Sequence, residues 1–198
     1  MKILTRSHRM LDLTTITAEQ IHKIDLRAVV DLGRFTAQTA KFWSVAQHSL
    51  NVARITRDLG GSANAQAWAL LHDAHEAYFG DLIRPLVDFL GRDAGDAIDG
   101  LRTRIDAAIA ARFGLTLDAE TSTVVQQADE IVLAAEIILF FPADTEILLT
   151  IPAVARHWPL IQYVQIEVMQ PKIWLDQVEA LWPVPPTSPH IETSVGAA

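Results

Sequence analysis

Apolar residues recur at three- and four-residue steps along most of this chain, the period of helices that bury one face. Val45, Leu50, Val52, Ile55 and Leu59 lay such a face on a helix from Ser44 to Leu59, and Gly60-Gly61 ends it. Ser62 or Asn64 can cap the next helix, which runs through Trp68, Leu70, Leu71, Ala74 and Tyr78 to Gly80. Ile98, Leu101, Ile105, Ile109 and Phe113 predict a helix over Ala94–Phe113, closed by Gly114, and a long apolar helix over Ala119–Phe140 stops before Pro142. Shorter helices are expected over Ala18–Val29, where Thr17 and Gln20 resemble a capping box, and over Asp81–Leu90, Thr145–Ile151 and Pro159–Leu181. Asp31–Lys41 is polar and aperiodic, so it reads as a loop, while Lys2–Leu13 is a short hairpin arm or irregular. No run of strands alternates with these helices, so the expectation is an all-α fold and not α/β.

The length, 198 residues, suits one domain with a substantial core, expected over residues 1–182. Residues 183–198 are rich in Pro, Ser and Thr and read as a disordered tail. The formal net charge of -8 argues against a nucleic-acid polymer as partner, though a bound metal ion can still draw in a small anion. No apolar stretch is long enough to span a bilayer, and the first residues lack the apolar run of a signal peptide; the cytoplasm is the simple expectation. With no cysteine, disulfides and thiolate metal sites are excluded.

The chemistry-bearing residues stand out because they conflict with their surroundings. His72-Asp73 lies inside an apolar helical stretch, where an unpaired carboxylate costs several kcal/mol, so a cation is a fitting partner. His48 sits on the preceding apolar helix, and Asp129 opens the apolar run of the long one. Two imidazoles and two carboxylates form a mixed N/O set that suits Mn, Co, Fe, Ni or Zn better than Ca, with Mg admissible. Glu76, four residues after His72, shares its helix face. His75 points elsewhere, toward solvent or in support of a neighbour, and Glu130 and Glu136 read as ordinary helix carboxylates.

The order His48, His72-Asp73, Asp129 resembles the H…HD…D signature of the HD-domain metal-dependent phosphohydrolases. HDAHEAYFGDLIRPL (72–86), VQQADEI (125–131) and SVAQHS (44–49) are similar to segments of bacterial 5′-deoxynucleotidases, and phage deoxynucleoside triphosphate hydrolases look similar too. The resemblance covers about 33–136 and implies a helical bundle around a central metal site. It implies that His48, His72, Asp73 and Asp129 hold one divalent ion, that Glu76 orients or deprotonates the attacking water, and that Asp81 supports that water or a substrate group. Arg34 matches a phosphate-contacting arginine, and Phe35 replaces a tryptophan that stands beside the sugar or base. Lys41, on the same loop, is a further phosphate candidate by proximity.

Ala77 after Glu76 departs from the H-D-x-x-E-D of guanosine tetraphosphate hydrolases, and the G-Y-P element of cyclic-dinucleotide phosphodiesterases is missing. The expected reaction is phosphate release from deoxynucleoside monophosphates. Triphosphate release from deoxynucleoside triphosphates and a non-catalytic nucleotide sensor stay open. The resemblance also implies a homo-oligomer, for which the apolar C-terminal helices could supply an interface.

Overall fold

The computed structural model describes residues 1–183, so the expected tail lies, apart from Pro183, outside the described residues. An antiparallel hairpin comes first, β1 (Lys2–Leu4) and β2 (Met10–Asp12), with Lys2 opposite Asp12 and Leu4 opposite Met10. All other regular structure among the described residues is helical.

The single helix expected over Ala18–Val29 is divided into a 3-10 turn (Ala18–Gln20), α1 (Lys23–Leu26) and α2 (Ala28–Asp31). The capping interaction forms, with the Thr17 N–H donating to Gln20 Oε1 at 3.0 Å. Ile21 then turns extended (φ -66, ψ 126) and buries its side chain, and His22 Nδ1 accepts from the Ile24 N–H at 3.2 Å to start again. Burial of Ile21 outweighs continuation of a marginal helix.

Next come α3 (Val45–Asp58), α4 (Ala63–Leu71), α5 (Glu76–Phe79), α6 (Arg84–Leu90), α7 (Arg92–Phe113) and α8 (Ala119–Phe140). The chain closes with α9 (Thr145–Leu148), α10 (Pro152–Ile161) and α11 (Pro171–Leu181). Helices α3, α4 and α8 pack on one another to form the centre; α10 covers α8, and α11 covers α3. Val45, Val52, Leu71, Ile131 and Val132 fill the space between the three central helices. Their starts are set by local chemistry. Ser44 Oγ accepts from the Gln47 N–H (3.2 Å) while Gln47 Oε1 accepts from the Ser44 N–H (3.0 Å). Ser62 Oγ and Asp118 Oδ1 cap α4 and α8 through the Ala65 and Thr121 N–H groups, at 3.1 and 2.7 Å.

The expected helix over Pro159–Leu181 is broken. Pro159 lies inside α10, and residues 162–170 leave the helical path before α11. Pro171 sets Gln170 extended and restarts the helix, and a row of polar side chains on α3 holds the link between. Gln47 Nε2 donates to the Met169 carbonyl at 3.0 Å, and Asn51 Nδ2 donates to the Glu167 carbonyl at 3.0 Å. Asn51 Oδ1 accepts the Glu167 N–H at 2.9 Å, and Arg54 reaches the Gln165 carbonyl. These side chains give the strap the partners that a helix would have supplied from its own backbone. No helix among the described residues is long and apolar enough to cross a membrane.

Candidate metal centre

His48 lies one turn into α3 and is fully buried. Its Nδ1 stands 2.9 Å from Glu136 Oε1, and its Nε2 stands 2.9 Å from Asp129 Oδ1 and 3.6 Å from Asp73 Oδ2. His72, at the end of α4, places its Nε2 at 3.2 Å from Asp73 Oδ2 and 3.8 Å from Asp129 Oδ1. Two ring nitrogens and two carboxylate oxygens from α3, α4 and its following turn, and α8 thus converge. The His72 Nε2 is buried with no hydrogen-bond partner among the described residues. That orphaned nitrogen and the mixed donor set fit a divalent cation. The buried His/Asp group could hold one ion.

The charges are mutually dependent. Burial works to raise Asp73, but the charge of His72 beside it, and then that of His48, hold it below the usual carboxylate range. Burial likewise opposes ionisation of Asp129, which the His48 hydrogen bond and the nearby His72 charge hold well below that range. Burial opposes protonation of His72, and Asp73 and Asp129 overcome it to push the imidazole well up. For His48, burial and Arg34 oppose protonation; Glu136 and Asp129 still push it up. Each carboxylate here requires positive charge beside it.

The turn that carries His72 and Asp73 departs from the expected continuous helix to Gly80. His72 Nδ1 takes the Ala69 carbonyl at 2.8 Å, the acceptor that the Asp73 N–H would use in a continuing α-helix. The chain tightens to i→i+3 bonds, Ala74 N–H to Leu71 (2.8 Å), Glu76 to Asp73 (3.1 Å) and Tyr78 to His75 (3.0 Å). At ~3 residues per turn, residues three apart eclipse, which brings Glu76 close to Asp73. Ligand atoms of Asp73, His75 and Glu76 lie within 4.8 Å of one another.

Glu76 is nine-tenths buried, and its Oε2 has no hydrogen-bond partner among the described residues. Burial first, then Asp73 and Asp81, push its carboxyl well above the usual range. Asp81 follows Gly80 (φ 90) in the extended link to α6; burial raises it too, with Asp73 adding and Arg34 opposing. Arg34 is buried beside the cluster, with Nη1 at 3.4 Å from Asp73 Oδ2 and Nε at 3.3 Å from Glu136 Oε2. Phe35, Thr36 and Ala37 all take left-handed backbone (φ 54, 51 and 57), a strained run for residues with a Cβ. That run sets the Phe35 ring edge-on to Phe141, 5.3 Å between centroids, with the Arg34 guanidinium 5.4 Å from its centre. Lys41 is exposed and makes no ion pair with the cluster among the described residues.

Two expectations need correction. Glu136 is not an ordinary helix carboxylate. It is fully buried, and its Oε1 accepts from His48 Nδ1 (2.9 Å) and Trp43 Nε1 (2.7 Å). Burial opposes its ionisation, but His48 and Arg34 hold it below the usual range. Its place seven residues after Asp129, about two turns on the same face, was the available signal. For His75 the solvent-facing reading fails and the one in support of a neighbour remains: it is buried, Nδ1 lies 2.9 Å from Asp106 Oδ1 on α7, and its ring stacks on Phe79. Glu130 does behave as an ordinary carboxylate, paired with Arg156 and His157 at the surface.

Residues 45–131 match the HD domain. The matched segment begins in the first turn of α3 and ends in α8, and it contains His48, His72, Asp73 and Asp129. The match supports the superfamily of HD-domain metal-dependent phosphohydrolases. The chain is also similar to a protein of Rhodobacter capsulatus described as uncharacterized, 33% identical over 136 residues. The similarity takes in 63% of this chain, which spans 65% of the length of that relative.

Proposed function

We propose that this protein is a 5′-deoxynucleotidase that releases phosphate from deoxynucleoside monophosphates. His48, His72, Asp73 and Asp129 would hold one divalent ion, with Mn, Co, Fe, Ni or Zn the best fit to the donors and Mg admissible. When bound, such an ion lowers the pKa of water and polarises a phosphoryl oxygen.

The chain's own residues supply the rest. Glu76 takes a proton from the water that attacks phosphorus, and the bond from phosphorus to the 5′ oxygen breaks. Asp81 supports that water or the substrate. Arg34 holds phosphate charge, which a guanidinium does through paired donors. Phe35 stands beside the sugar or base, and Lys41, more remote, would add positive charge at the loop.

The observation that carries the reading is Glu76 Oε2, buried without a hydrogen-bond partner among the described residues, in a group with Asp73 and His75 that adjoins the His48, His72 and Asp73 group. A site that only bound nucleotide would have no use for a costly buried carboxyl there. The test is phosphate release from ribo- and deoxynucleoside mono-, di- and triphosphates, with Mn, Co, Mg and Zn each added to metal-stripped protein. Metal-dependent phosphate from deoxynucleoside monophosphates supports the proposal, and loss of turnover with retained binding in Glu76→Gln assigns the carboxylate. Inorganic triphosphate from a deoxynucleoside triphosphate would move the substrate assignment. Tight nucleotide binding without turnover under every metal would leave a sensor.

A further inference from the structure

Among the described residues the Glu76 carboxylate has no hydrogen bond to hold its Oε2, so its position is inherited from its backbone. That backbone belongs to the tightened turn after α4, which has no continuous α-helical ladder. From inside, the turn is tied by His72 Nδ1 on the Ala69 carbonyl (2.8 Å). From outside, it is tied by the residue next to Glu76: His75 Nδ1 donates to Asp106 Oδ1 at 2.9 Å, across 31 residues of sequence. His75 is 5% exposed, its ring is stacked on Phe79 at 5.3 Å, and Asp106 sits on the segment of α7 whose Ile105 and Ile109 are fully buried. The anchor is therefore a packed helix, not a mobile surface.

We infer that His75 and Asp106 form a positioning pair that fixes where the Glu76 carboxylate stands against Asp73. The inference rests on the reading in which Glu76 handles the proton of the attacking water. In this reading both residues act through Glu76. Releasing the pair lets the turn relax toward an α-helical winding, which carries Glu76 out of eclipse with Asp73. A displacement of about 1 Å at such a group costs on the order of 10²-fold in rate.

The full chain with manganese provides the test. His75→Leu and Asp106→Ala remove the bond; His75→Asn keeps a donor near the Nδ1 position, and Asp106→Asn keeps an acceptor. The expected result is kcat for deoxynucleoside monophosphates down by about 10- to 100-fold in the first two. KM and the Mn(II) dissociation constant, by calorimetry, should stay within about threefold, and the two Asn variants should regain most of the rate. Loss of rate in step with Mn(II) affinity, or Asn variants as impaired as the truncations, would overturn the inference. Amide hydrogen exchange supplies a second readout that does not depend on turnover. His75→Leu should speed exchange at residues 72–80 and leave α3 and α8 unchanged, and unaltered exchange at 72–80 overturns the pair even if the wild type proves inactive on every phosphate. Wild-type inactivity with faster exchange in the variant would defeat the nucleotidase reading alone.

Discussion

His48 Nδ1 and Glu136 Oε1 lie 2.9 Å apart, both side chains fully buried and 88 residues apart in sequence. An ionised carboxylate only accepts, so Nδ1 carries a proton toward Glu136, while Nε2 faces Asp129 at 2.9 Å and Asp73 at 3.6 Å. The same carboxylate holds Trp43 Nε1 and pairs with Arg34 Nε. One buried glutamate thus sets the ring orientation of a candidate ligand and the place of the candidate phosphate-binding arginine.

Removing it should be severe. Glu136→Ala strands Arg34 and His48 without their partner, and breaking a buried ion pair costs about 3–5 kcal/mol. Glu136→Gln keeps the shape but not the charge, and should weaken Mn(II) binding by about 10- to 100-fold. Urea denaturation and calorimetric titration check the two.

Metal should stabilise the fold, because the donors converge only when α3, α4 and α8 are packed. At a free Mn(II) concentration of 100 times its dissociation constant the gain is about 2.7 kcal/mol. For a chain of this size that corresponds to a rise in Tm of about 5–10 °C. Chelator should reverse it, and His72→Ala should abolish it.

Asn51 is buried and makes paired bonds with the Glu167 backbone, Nδ2 to the carbonyl (3.0 Å) and the N–H to Oδ1 (2.9 Å). Asn51→Ala leaves both groups unpaired and should cost about 1–3 kcal/mol. Amide exchange should accelerate at 165–169, with α8 unaffected.

Asp118 caps α8, and the Thr121 backbone N–H, then its hydroxyl, hold the carboxyl below the usual range. A depressed folded-state value adds stability above the unfolded value and loses it as pH falls toward the folded one. Asp118→Ala should therefore lower Tm by about 2–4 °C at pH 7. The gap should persist to pH 5 and narrow below about pH 4. Melting curves across that range provide the check.

Two glycines should respond to alanine with opposite signs. A Cβ on Gly61 would lie 2.6 Å from Thr56 Cγ2 and 2.8 Å from the Thr56 carbonyl oxygen. Gly61→Ala should cost about 1–3 kcal/mol through that clash. Gly100, inside α7, has nothing within 4 Å of its Cβ position. Gly100→Ala should stabilise by about 0.5–1 kcal/mol through helix propensity. Urea midpoints for both variants check the signs.

The helices that the sequence described well are those whose ends are chosen locally. α3, α7 and α8 begin and end within two residues of expectation, because Ser44, Gly60, Gly114, Asp118 and Pro142 act on their immediate neighbours. His48, His72 and Asp73 stood out in the sequence as polar groups within apolar helical stretches, and Asp129 as the residue that opens an apolar run. The partner of Glu136 was not legible, because nothing on its own helix pairs with it and His48 lies 88 residues away. The break at 162–170 had a local signal in Pro171, which sets Gln170 extended and restarts the helix, but the partners that Gln47, Asn51 and Arg54 offer its backbone from α3 were not legible.

Sequence by itself therefore determined the all-α class, the three central helices and the order of the candidate ligands, because periodicity, caps and buried-polar conflicts are encoded within a few residues. Tertiary structure alone decided the winding of 72–76, the pairing of His75 with Asp106 and the burial of Glu136. Each depends on a side chain brought from a distant helix, and that partner's hydrogen bond or charge outweighs the small local preference it opposes.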